Sequence, residues 1–109
     1  MESKTAVLAL SALAQENRLA VFRLLVQAGD AGMAAGRIAE TLAVPASSLS
    51  FHLKELSHAG LLSSRQEGRF VIYSANFEVM NQLLGYLTEN CCGGQPCGPN
   101  SSISCSTQP

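Results

Sequence analysis

All four cysteines of this chain fall between Cys91 and Cys105, in a Gly/Pro/Ser-rich stretch that follows an expected helix, and none stands in the body before it. Thiolate sulfur selects soft centres. The adjacent pair Cys91-Cys92, followed by Gly93-Gly94-Gln95-Pro96-Cys97, gives a chain that can gather three sulfurs around one such centre. Neighbouring Cα atoms lie about 3.8 Å apart, whereas ordinary disulfides want about 4.4 to 6.8 Å, so Cys91 and Cys92 are poor disulfide partners for each other. From Cys92 to Cys97 the chain takes five peptide steps, two of its intervening residues being glycine and one proline, and at up to about 3.3 to 3.6 Å per residue it has ample reach to fold back. The function is expected to couple this thiol cluster to the body.

The body must supply something for the thiols to act on. A chain of 109 residues supports one domain, and small domains bury proportionally less surface, so association adds burial they otherwise lack. Hydrophobic residues make up 47% and charged residues only 14%, an apolar balance that points to a homodimer. No run of about 18 apolar residues exists to cross a membrane, and Met1-Glu2-Ser3-Lys4 lacks a signal-peptide pattern. The expected location is cytoplasmic, where cysteines serve as ligands or sensors more often than as a disulfide framework. A net charge of -1 excludes a globally basic nucleic-acid binder but leaves room for a local basic face.

Helices come first along the chain. Thr5 to Leu13 is almost continuously apolar, which predicts a helix covered on more than one side. Glu16 to Ala28 carries Leu19, Phe22 and Val26 at helical spacing, with Gly29 placed to end it. A shorter helix is predicted over Ala35 to Leu42, with Ile38, Ala39 and Leu42 inward; Pro45 forces a turn, and a further helix runs from Ala46 to Ala59 with Leu49, Leu53 and Leu56 inward. After Gly60 the period changes to two: Leu61 to Gln66 and Phe70 to Ala75 read as strands joined at Glu67-Gly68-Arg69, with Val71 and Tyr73 on one face and Phe70 and Ile72 on the other. A last helix is expected over Asn76 to Asn90, with Phe77, Met80, Leu84 and Leu87 on one face and Leu83 and Tyr86 beside them, an apolar width beyond what one small core needs. The fold class is therefore mainly α with a β-hairpin, a winged helix-turn-helix, with residues 1–90 as the DNA-binding and dimerisation domain and 91–109 as a cysteine-containing tail.

On the second helix of that motif the leucines leave Ser47, Ser48, Ser50, Phe51 and Lys54 to face outward. Small side chains permit close approach to a major groove, hydroxyls bond phosphates or base edges, and a phenyl ring suits a thymine methyl. Arg65 and Arg69 flank the hairpin tip and are expected to reach phosphates or the minor groove, with Arg37 nearby. The plainer alternative is a solvated helix face and a solvated hairpin. His52 sits between the inner and outer faces, where packing or a phosphate contact is more usual than metal ligation.

The stretch Ser50-Phe51-His52-Leu53-Lys54-Glu55-Leu56-Ser57-His58-Ala59-Gly60-Leu61-Leu62, continuing through Arg65, Gly68-Arg69 and Tyr73, resembles the signature of the ArsR/SmtB family of metal-responsive winged-helix repressors, and Asn17-Arg18-Leu19 matches that family's second-helix opening. The resemblance covers most of residues 5–90. It implies a homodimer packed through the first and last helices, binding to double-stranded operator DNA, and repression relieved by an inducer. It also helps choose the inducer. The best-known arsenic-sensing members carry cysteines on the first helix of the DNA-binding motif, where Gly36 to Leu42 has none; zinc-sensing members use carboxylates and histidines on the last helix, where only Glu78 and Glu89 stand. The Cys-Cys pair at the end of the last helix, with a third cysteine shortly after, resembles a subgroup whose As(III) site has moved to the C-terminus.

That implies Cys91, Cys92 and Cys97 as ligands of arsenic(III) or antimony(III), centres whose lone pair favours a three-coordinate pyramid. Each hydroxyl of arsenous acid can condense with a thiol and leave as water, whereas zinc or cadmium must displace protons from its ligands. A four-sulfur zinc or cadmium site recruiting Cys105 is the alternative, and Cys105 is otherwise spare. Two further readings stand beside these: a thiol redox sensor pairing a neighbouring thiol with Cys105, and a metalloid carrier whose winged helix binds protein. No nucleophile-base pair or phosphate-binding glycine loop marks an enzyme.

Overall fold

A computed structural model describes residues 1–94. Cys97 and Cys105 lie outside the described residues. The elements are α1 (Ser3–Leu13), α2 (Glu16–Ala28), a 3-10 turn at Gly29–Ala31, β1 (Met33–Ala34), α3 (Ala35–Leu42), α4 (Ala46–His58), β2 (Leu62–Glu67), β3 (Phe70–Ala75) and α5 (Phe77–Leu87), followed by a second 3-10 turn at Cys91–Gly94. The sheet is antiparallel with order β1-β3-β2.

One core joins every element. Ala6, Ala9 and Ala12 of α1, Val21, Phe22 and Leu25 of α2, Ile38 of α3, Leu49, Leu53 and Leu56 of α4, and Leu83 of α5 are all buried in it. The three alanines recur every third residue, so α1 presents its smallest side chains to α2, α4 and α5 and lies close to them. The α1–α2 corner is fixed by Arg18: its Nε donates to the Ala12 carbonyl at 2.7 Å, satisfying an end carbonyl of α1, while its backbone N–H donates to the Gln15 side chain at 2.9 Å and so caps α2.

The predicted bounds of α2, α3 and β3 match the observed ones; α1 begins two residues earlier, β2 is shifted by one, and α4 ends one residue sooner. Three differences have physical causes. In α2 the inward face is Val21, Phe22 and Leu25, and Leu19 is exposed, because the run Leu19 to Val26 is apolar on two sides and either can be taken for the core side. β1, just two residues long, pairs Met33 with Tyr73 and Ala34 with Ile72, turning the expected hairpin into a three-stranded sheet. Finally, α5 ends at Leu87 rather than Asn90: the Thr88 hydroxyl donates back to the Leu84 carbonyl at 2.8 Å, and Asn90 takes a left-handed φ of 57°.

Candidate nucleic-acid interface and thiol site

Two helices and a short turn place the outward side chains of α4. Helix α3 ends at Ala43, which adopts φ 54° and ψ 43°, a left-handed conformation that glycine usually takes at a helix end. Buried Val44 anchors the turn, its N–H donating to the Ala39 carbonyl at 3.1 Å, and Pro45 then starts α4 with φ fixed at -57°. With Leu49, Leu53 and Leu56 locked inward, Ser47, Ser50, Phe51 and Lys54 share the opposite side at spacings of three and four residues, and Ser48 stands beside them; all five are exposed. Phe51 is 56% exposed, an unusual place for a ring in a helix that has a core to fill.

Behind that ring lies His52. It is only 8% exposed, its ring meets Phe51 edge-on at 6.0 Å, and its Nδ1 is buried without a hydrogen-bond partner. Of the packing and phosphate contact expected for this histidine, its burial matches the packing, and the orphaned nitrogen has no signature in the sequence.

The wing follows. β2 and β3 pair from Leu62–Ala75 out to Glu67–Phe70, with Gly68 at φ 62° and Arg69 forming the two-residue tip. Register puts Leu62, Ala75, Tyr73 and Val71 on the core-side face and Phe70, Ile72, Arg65 and Glu67 on the other, as the alternation predicts. Arg69 and Phe70 stand exposed at the tip. Arg65 does not extend outward in the same way: its guanidinium bonds Glu67 and the carbonyls of Asp30 and Ala31.

The thiol pair sits just past α5. The Cys91 N–H donates to the Thr88 carbonyl at 2.9 Å, and Cys92, Gly93 and Gly94 continue with left-handed φ values of 56°, 65° and 89°. This tight turn brings the Cys91 and Cys92 sulfurs to 3.7 Å. Among the described residues no group of three or more His, Cys, Asp or Glu side chains is placed to hold a metal ion. Leu84 and Leu87 of α5, the helix that precedes the turn, and Val7, Leu8 and Leu10 of α1 are exposed, on two helices that pack against each other. No helix among the described residues is long and apolar enough to cross a membrane.

Comparison with known proteins agrees with this architecture. A helix-turn-helix domain family matches residues 13–65. The chain is 32% identical over 80 residues to the nodulation protein NolR of Rhizobium meliloti, a match that takes in 73% of this chain and 63% of NolR, so it spans less than two thirds of that relative's length. Among solved structures, an ArsR-like transcriptional regulator from Rhodococcus sp. RHA1 superposes with a TM-score of 0.71 at 25% identity, over 84% of this chain and 82% of the other. HlyU from Vibrio cholerae N16961 gives 0.64 at 32% identity, over 84% of this chain and 99% of HlyU.

Proposed function

This chain belongs to the ArsR family of winged-helix transcriptional regulators and is not an enzyme, and we propose that within the family it is an arsenic(III)- or antimony(III)-responsive repressor. In this reading a cytoplasmic homodimer binds double-stranded operator DNA in its unliganded state and lets go when Cys91, Cys92 and Cys97 close on the metalloid. The observation that carries it is the 3.7 Å separation of the Cys91 and Cys92 sulfurs in a turn that begins four residues after the end of α5.

The donor set fits a soft, low-coordinate centre. Two sulfurs already converge, and Cys97 is a short reach along the chain. A tetrahedral zinc with Zn–S bonds of about 2.3 Å would accept the same spacing, so distance alone suits both; the number of nearby donors favours three. Zinc or cadmium would need Cys105 as well.

The residues also offer a route from the thiols to the DNA. The exposed Val7, Leu8, Leu10, Leu84 and Leu87 form the surface on which a second copy would pack, and the thiol turn begins four residues after Leu87. Helix α5 packs on α1, and α1 packs on α4. A change in how the last helices meet across the dimer would thus alter the spacing of the two α4 helices, which must match successive major grooves. A coupling of about 1 to 3 kcal/mol suffices for a 5- to 150-fold loss of affinity.

The deciding experiment is fluorescence anisotropy of the reduced protein on DNA from its own upstream region, titrated separately with arsenite, zinc and cadmium. Stoichiometric release by arsenite with zinc inert is the expected result. Release by zinc or cadmium at that level would transfer the site to a four-sulfur ion, and release by peroxide alone to a redox switch.

A further inference from the structure

Buried Leu62 and Ala75 and the β1–β3 ladder hold the base of the wing, whereas Ser63 to Val71 are all exposed and no buried side chain braces the hairpin from there to its tip. One exposed side chain adds such a brace. Arg65 Nε donates to Glu67 Oε2 at 2.6 Å, Nη1 to the Asp30 carbonyl at 3.2 Å and Nη2 to the Ala31 carbonyl at 2.8 Å. Glu67 ends β2 beside the tip, whereas Asp30 and Ala31 lie in the turn leading into β1. In the order β1-β3-β2 that reach crosses the central strand, so Arg65 ties the two edges of the sheet together. The far anchor is itself held: Gly32 has φ +66°, and a Cβ there would strike the Tyr73 carbonyl oxygen of β3.

Bidentate phosphate recognition uses two adjacent guanidinium nitrogens. In Arg65 each of the three nitrogens already has a protein acceptor, and the Glu67 carboxylate offsets its charge. We propose that Arg65 is a positioning residue for DNA recognition: it leaves the DNA contacts to Arg69 and Phe70 and sets the direction in which the wing presents them. Phe70, 63% exposed and next to Arg69, is the kind of apolar side chain that minor-groove binders wedge against base steps. The inference rests on the DNA-binding reading above.

The test is anisotropy of the reduced full-length protein on its upstream duplex over a series of KCl concentrations, with Glu67→Ala, Arg65→Gln, Arg65→Lys, Arg69→Gln and the Arg65→Gln/Arg69→Gln pair. A clamp predicts that Glu67→Ala weakens binding roughly two- to fivefold although it removes a negative charge near DNA. It predicts that Arg65→Lys is as damaging as Arg65→Gln, because an ammonium cannot span the three acceptors. It also predicts that Arg65→Gln costs little further once Arg69 is gone. Tighter binding by Glu67→Ala, retention of affinity by Arg65→Lys, or a further drop of about two in the salt slope of the double variant would make Arg65 a phosphate contact and overturn the proposal. A mutation-free arm follows the Arg Nε–H resonances of the wild type: that of Arg65 should hold its position on adding DNA while that of Arg69 moves, and the reverse is fatal to the clamp. Wild-type protein that binds no duplex removes the DNA-binding reading itself, an outcome separate from any pattern among the variants.

Discussion

The outer surface of α1 and α5 and the outer surface of α4 and the wing both expose large apolar side chains, yet they do so differently. On α1 and α5, Val7, Leu8, Leu10, Leu84 and Leu87 occupy two packed helices, with Lys4 of α1 the one cation on them. On α4 and the wing, Phe51 and Phe70 stand singly among Ser47, Ser50, Lys54 and Arg69. Contiguous apolar area suits a partner of the same kind, whereas isolated rings amid hydroxyls and cations suit a charged polymer with apolar edges between its phosphates. Arrangement, more than apolar content, separates the two surfaces.

The strongest way to break that contrast is to put charge on the first surface. Leu84→Glu with Leu87→Glu is expected to halve the mass seen by light scattering and to weaken operator binding by about 100-fold or more, since two linked half-site contacts become one. Next comes the thiol turn that follows α5. Cys92→Ser should leave DNA affinity within about twofold and abolish the proposed 5- to 150-fold release by arsenite, and a Cys92→Ser protein that still leaves DNA on adding arsenite would sink the site. On the second surface, Lys54→Gln is expected to lower affinity about tenfold and the salt slope by about two per dimer, with the dimer mass unchanged. The smallest effect belongs to the boundary between surface and core: His52→Leu removes the orphaned Nδ1 and should stabilise the fold by about 1 kcal/mol, read as a melting temperature higher by about 4 to 8 °C.

How legible each surface was in the sequence depended on how local its determinants are. Leu49, Leu53 and Leu56 sit within one helix, so their spacing alone oriented α4 and with it Ser47, Ser50, Phe51 and Lys54. Pro45 and Gly68 mark turns by their own backbone constraints. The partners of Arg65 were out of reach of such reasoning, because two of its acceptors are backbone carbonyls 34 and 35 residues away and carbonyls have no residue type. β1 escaped for a similar reason: two residues show no alternation, and Met33-Ala34 becomes a strand just because β3 lies next to it. The thiol pair was legible as a pair, but its 3.7 Å approach depends on the left-handed backbone at Asn90 and Cys92, which side-chain type does not announce.

The small-residue packing of α1 has a consequence for how the protein comes to exist. Helix α1 is among the first segments made and α5 among the last of the described chain, yet Ala6, Ala9 and Leu83 share one core. Joining them closes a loop of nearly the whole domain, a costly and late step. Until then the outer leucines of α1 have neither α5 beside them nor a second copy across from them. In the proposed homodimer, completing the fold and finding a partner therefore become linked events, and the unfolding midpoint should climb with protein concentration, as it does when stability is shared between protomers.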